Sequence, residues 1–152
     1  MKTTQTKEYV IISNQEILEE YFKYYFKKHP RRSKKPIDKP WHCSINKWFI
    51  LQRPQMNALK QAWKDYTVWL VERYKCTNLH IKKCIMEYKF FMPTKRRADC
   101  DNYTPKFTND GLTESGVIID DDYNHCNPLI TELGYDKDDP RMEIHIKAIE
   151  LK

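Results

Sequence analysis

Residues 95–122 read KRRADCDNYTPKFTNDGLTESGVIIDDD, and they hold Asp99, Asp101, Asp110, Asp120, Asp121 and Asp122 in a chain of net charge +6. Gathering carboxylates is costly, because like charges disfavour each other's ionised form. A basic chain that concentrates acids in one segment has a use for a cation there. Its remaining positive charge points to a polyanion. A metal site within a nucleic-acid-binding surface accounts for both.

The segment also sets the local structure. Pro105 suits the first position of a helix, since it lacks the N–H that would be orphaned there. The pattern predicts a helix over 105–115 with Gly116 just past its end. Val117-Ile118-Ile119 reads as a short apolar strand running into the three aspartates. Upstream, residues 82–92 alternate, with Cys84, Met86, Tyr88, Phe90 and Met92 on one side, which predicts a strand with one buried face. Downstream, 129–135 predicts another strand and Asp136–Pro140 a turn. The last strand alternates Met142, Ile144, Ile146 and Ala148 against Arg141, Glu143, His145 and Lys147. Ile149 and Leu151 break that phase, which predicts a bulge or twist.

Further out, Leu59, Ala62, Trp63, Tyr66, Leu70 and Tyr74 recur at helical spacing and predict an amphipathic helix over 57–74. Residues 41–51 predict a short strand and turn. Residues 1–39 read as an appendage to a globular unit, 40–152. It carries a helix over 14–28, opened by a capping box at Ser13–Glu16, and a basic Pro-punctuated linker. Arg31, Arg32, Lys34 and Lys35 of that linker are candidate phosphate contacts. The fold class expected is α+β, a small mixed sheet packed with helices, with an N-terminal helical extension.

The 152 residues are 40% hydrophobic and 13% aromatic, enough for a core. No signal peptide and no membrane span is visible, so a cytoplasmic place is expected and no membrane partner. The five cysteines are odd in number and scattered, which suits reduced thiols. With three glycines in all, there is no phosphate loop and no dinucleotide fingerprint, hence no nucleotide cofactor.

As chemistry, clustered carboxylates suit Mg²⁺, a hard cation with oxygen ligands, for which Mn²⁺ can substitute. Such an ion activates water in phosphodiester hydrolysis. A helix of ten residues spans about 15 Å, and a strand returning beside it brings Asp120–Asp122 back towards Asp99 and Asp101. Lys106, one position into the helix, suits transition-state charge. Lys95, Arg96 and Arg97 suit substrate phosphates. Plainer readings stand beside these: a helix cap for Asp99 or Asp101, a solvated turn for Asp120–Asp122, and a Lys106–Asp110 surface pair.

The ordered pattern Arg97-x-Asp99-x-Asp101-Asn102, Lys106, Asp110-Gly111-Leu112, Gly116, Asp120-Asp121 resembles the RusA family of Holliday junction resolvases. Ser44-x-Asn46 resembles that family's segment after its first strand. The resemblance implies a small α+β homodimer that binds four-way DNA junctions and makes paired nicks with Mg²⁺, in recombination and repair, in a bacterium or phage. It implies Asp99, Asp101 and Asp121 as metal ligands and Lys106 as the essential lysine, here one residue further from Asn102. The triple aspartate leaves Asp120 or Asp122 open as the ligand instead. A non-catalytic junction binder and a Ca²⁺-stabilised binding module are the alternatives; neither has need of Lys106 together with three acids.

Other constellations carry less. Cys76, His80 and Cys84 lack a second pair at zinc spacing, and His42-Cys43 and His125-Cys126 are adjacent. Glu87-x-Lys89 fits the solvent face of its strand better than a restriction-type nuclease site. The aromatics lie at core spacing, and His145 falls on the exposed face of the last strand.

Overall fold

The computed structural model describes residues 4–151. Its elements run β1 (Thr4–Asn14), α1 (Gln15–Lys28), α2 (Ile45–Trp48), α3 (Arg53–Arg73), β2 (Cys84–Met92), a 3-10 turn (Cys100–Asn102), α4 (Lys106–Glu114), β3 (Cys126–Tyr135) and β4 (Arg141–Leu151). The four strands form one mixed sheet in the order β1-β4-β2-β3, with β2 and β3 parallel and the other neighbours antiparallel. This is the small α+β fold expected.

Alternation places the core. Ile11 of β1, Met142, Ile144, Ile146 and Ala148 of β4, and Cys84, Met86, Tyr88 and Phe90 of β2 are buried. Leu18, Tyr21 and Phe22 of α1, Trp63, Tyr66 and Leu70 of α3, and Phe107 and Leu112 of α4 complete the same cluster. Each fully buried apolar side chain is worth about 1.5–3 kcal/mol, so trimming Leu18 to alanine would cost about 2–5 kcal/mol. The opposite face carries Glu87, Glu143 and His145. The expected exposure of His145 is wrong. Its ring lies between Glu8, at 3.1 Å, and Glu143, at 2.9 Å, and its side chain is 15% exposed.

The expected boundary at residue 39 does not separate an appendage from a folded unit. β1 pairs with β4 from Thr4↔Leu151 to Asn14↔Arg141, and α1 packs into the core. The linker is tied too: Ile37 is buried, and the Ser13 hydroxyl donates to the Pro40 carbonyl and lies 2.6 Å from the Tyr66 hydroxyl. Ser13 is therefore the last buried residue of a strand, and the helix cap is Asn14, whose Oδ1 accepts from the Ile17 N–H at 2.9 Å. Two other expectations differ. Residues 45–48 are a helical turn rather than a strand. The β1–β4 register passes Ile149 unbroken, and the sheet's irregularity lies at Cys84/Met86 in the β2–β3 pair.

Candidate functional site

α4 is the axis of the site. Its first turn is held by His42, a buried imidazole whose Nε2 accepts from the Phe107 N–H at 3.1 Å while Nδ1 donates to the Cys43 carbonyl at 2.8 Å. Burial pushes its pKa down to about 4, so the ring is neutral and has a lone pair to offer an orphan helix N–H. This fixes the backbone next to Lys106, which is exposed at the first position of α4. At the far end, Gly116 has φ +79°, the left-handed conformation that ends helices, as its position predicts. The Val117–Ile119 segment then bridges Ile81 in parallel: Ile81 N–H donates to Val117 O at 3.0 Å, and Ile119 N–H to Ile81 O at 3.1 Å.

That bridge delivers the three aspartates into a hydrogen-bonded loop. Asp120 Oδ1 accepts from the Asp121 N–H at 2.8 Å. Asp122 Oδ1 accepts from the Asn124 N–H at 3.2 Å and contacts His125 Nδ1, and its carbonyl accepts from Cys126 N–H at 2.9 Å. Asp120, Asp122 and His125 each offer a ligand atom within 4.8 Å of the others. The His125 contact holds the Asp122 carboxyl below its ordinary pKa. Asp121 goes the other way. Partial burial raises its pKa, and the Asp120 carboxyl and the charge on Asp110 raise it further.

The D-x-D-N segment is built differently. Asp99 precedes the 3-10 turn and Asp101 lies within it, both exposed, and Asp99 caps nothing. Arg97 Nε approaches Asp99 at 3.8 Å with both side chains largely in solvent. Asn102 ties this turn to the rest: its Oδ1 accepts from the Asn46 N–H at 3.1 Å. The Ser44-x-Asn46 and D-x-D-N segments thus meet across 56 positions. Asp99 and Asp101 belong to no metal-ligand group of the tightness of Asp120–Asp122–His125 among the described residues. The carboxylate that Asp121 faces from α4 is Asp110.

The basic residues singled out in the sequence lie on exposed segments. Lys95, Arg96 and Arg97 are exposed on the loop after β2, and Lys95 lies over the Tyr135 ring at 5.1 Å. Arg31, Arg32, Lys34 and Lys35 are exposed beyond α1, with Arg32 donating to the Tyr25 hydroxyl at 2.8 Å. Asp110 pairs with Lys60 of α3 at 3.9 Å, not with Lys106. A cavity of about 380 Å³ between α3, α4 and the acidic loop is lined by Lys60, Lys64, Asp110, Glu114, Asp120 and Asp121.

Sequence reasoning missed Lys60, Lys64, His42 and His125. The two lysines sit on a helix whose apolar stripe takes the eye, and only tertiary packing turns them towards α4. His42 and His125 were weighed only as zinc ligands. The recurrence of a histidine three positions after Asp122 is the one signal that was there to be read.

No helix among the described residues is long and apolar enough to cross a membrane. A family model described as Endodeoxyribonuclease RusA matches residues 1–147. No curated protein matches the chain.

Proposed function

Because the chain belongs to the RusA endodeoxyribonuclease family, we propose that it is a Mg²⁺-dependent endonuclease that resolves four-way DNA junctions by paired nicks, serving recombination and repair. The observation that carries this reading is the Asp120–Asp122 loop, where carboxylates are held together by backbone bonds and Asp121 resists ionisation beside Asp110 and Asp120. Such a donor set fits a hard divalent cation, whose charge removes the repulsion.

In this reading Asp99, Asp101 and Asp121 hold the ion, with Asp120 and Asp122 as the neighbouring candidates. When bound, the ion supplies an activated water and stabilisation of the leaving oxygen. Lys106, held by the His42-anchored first turn of α4, places an ammonium where charge develops on the phosphate. Lys95, Arg96 and Arg97, and Arg31, Arg32, Lys34 and Lys35 across the surface, neutralise the backbone of the junction arms. Two opposed nicks need two sites related by a two-fold axis, hence a homodimer. One protomer per junction by sedimentation contradicts that.

The test is a synthetic four-way junction beside a linear duplex of the same arms, with and without Mg²⁺. The expected result is symmetric, Mg²⁺-dependent nicking of the junction with the duplex largely intact. Equal cutting of both substrates overturns junction selectivity, and cutting of neither overturns the enzyme.

A further inference from the structure

Two lysines line the acid cavity with no task in the chemistry above. Lys60 and Lys64 are one turn apart on α3, so they rise from one face about 6 Å apart along its axis. Lys60 Nζ stands 3.9 Å from Asp110 Oδ2, beyond hydrogen-bond length, and Lys64 Nζ is 3.1 Å from Glu114 Oε2. The Lys60 and Asp110 side chains are 43% and 30% exposed, and those of Lys64 and Glu114 are 24% and 51% exposed, so both pairs are partly open to solvent. Solvent-facing pairs of this kind contribute about 0–1 kcal/mol. They are a weak reason for α3 and α4 to adhere, and a stronger one is present: a Cβ on Gly111 would fall 2.6 Å from Thr67 Cβ, so the backbone of α4 packs directly on the Thr67 side chain.

The cavity these lysines border presents Asp110, Glu114, Asp120 and Asp121. A phosphodiester approaching that wall is repelled until cations stand at its lip. Lysine suits such a post, being a compact charge on a flexible stem that can exchange one oxyanion for another.

The geometry points to Lys60 and Lys64 as substrate-positioning residues that leave Asp110 and Glu114 to take backbone phosphates of the strand entering the acid cavity. This rests on the reading of the chain as a DNA-cleaving enzyme. Partner exchange is open to both lysines, because neither pair is buried and each has one member turned well towards solvent. It also delivers two effects at once: the phosphates gain counter-charges, and Asp110 is released beside Asp121.

The test uses the full chain, a labelled four-way junction and Ca²⁺ in place of Mg²⁺, with binding measured between about 50 and 200 mM salt. Lys60→Ala and Lys64→Ala should each make the slope of log K against log salt shallower by about 0.9, and Lys64→Arg should keep it. With Mg²⁺, the alanine variants should raise KM by more than they lower kcat. Glu114→Gln, which frees Lys64, should bind at least as tightly as the parent. If the lysines merely tie two helices, Glu114→Gln weakens binding as Lys64→Ala does and the slope stays put, and the inference is overturned. Thermal melts separate loss of fold from loss of contact, and Glu114→Gln carries the test if an alanine variant does not fold. A parent chain that neither binds nor nicks the junction sinks the functional reading and this one together. A parent that binds with salt-dependent affinity, beside a double variant of the same slope, sinks this one alone.

Discussion

Two acidic turns, Asp120–Asp122 and Asp136–Asp139, are built to opposite ends. At the second, Arg141 reaches back into the turn. Its Nη1 donates to Asp136 Oδ2 at 2.7 Å and to the Asp139 carbonyl at 2.9 Å, and its guanidinium lies 4.0 Å over the Phe91 ring. Asp136 accepts the Asp138 and Asp139 N–H groups at 3.1 Å each and is held below its ordinary pKa, chiefly by Arg141. At the first turn the ring of His125 serves Asp122, and Asp121 is left raised beside Asp110 and Asp120. One turn carries its own cation and the other lacks one for its central acid. Clustered aspartates alone are therefore poor evidence of a metal site; what distinguishes the two is how the charge is settled inside the fold.

The largest expected effect tests that distinction through catalysis. Asp121→Asn should lower Mg²⁺-dependent junction cleavage by about 10³-fold or more, the scale of losing a group that supports transition-state charge. Asp136→Asn should stay within about two-fold, since its carboxylate serves only Arg141 and the backbone of its own turn. Single-turnover nicking rates of both variants decide the matter, and comparable losses would erase the contrast.

A smaller effect comes from removing the built-in cation. Arg141→Met keeps the apolar stem but leaves Asp136 and Asp139 without their cation and Glu143 with His145 alone, which should cost about 1–3 kcal/mol. That corresponds to a fall in Tm of about 2–12 °C for a domain of this size. In an Asp121→Asn background, added Ca²⁺ should then raise the Tm of the Arg141→Met chain more than that of its Arg141 parent. Equal responses to Ca²⁺ would show that the second turn cannot be made to resemble the first.

The smallest effect is a difference of sign with pH. Asp136 has a lowered folded pKa, so its contribution to stability is present above the unfolded value, near 3.9, and is lost as pH falls through the folded one. Asp121 has a raised folded pKa, so its contribution is present below the unfolded value and lost as pH rises through the folded one. At pH 7 without metal, Asp136→Asn should lower Tm and Asp121→Asn should raise it, the latter by about 1–3 °C. Both differences should shrink towards pH 3. Calorimetry across that range checks this, and shifts of one sign for both variants would remove the contrast.

Much of this was legible where physics is local. The alternation of Met142, Ile144, Ile146 and Ala148 marks β4, and Trp63, Tyr66 and Leu70 mark α3, because one face of each must be apolar. Gly116 closes α4 because only a residue free to take positive φ fits there. β1 was not legible. Val10-Ile11-Ile12 is a continuous apolar run without alternation, and its partner β4 lies some 130 positions on, so the N-terminus reads as an appendage when it is the edge of the sheet. The site divides the same way. Asp99, Asp101 and Asp120–Asp122 announce themselves by composition, whereas Asp110 beside Asp121, and Lys60 and Lys64 paired with Asp110 and Glu114, exist only once α3 packs on α4. His42 is read from sequence only against zinc spacing, because its two hydrogen-bond partners are set by the fold.

The contact between α3 and α4 has a consequence for how the chain can vary. Thr67 and Gly111 meet with no room for a methyl group on the glycine, so the distance between the helices is set by a hydrogen atom. A side chain at 111 cannot be added alone without moving Asp110 relative to Lys60, and a larger residue there is admissible only with a smaller one at 67: a lock with two tumblers.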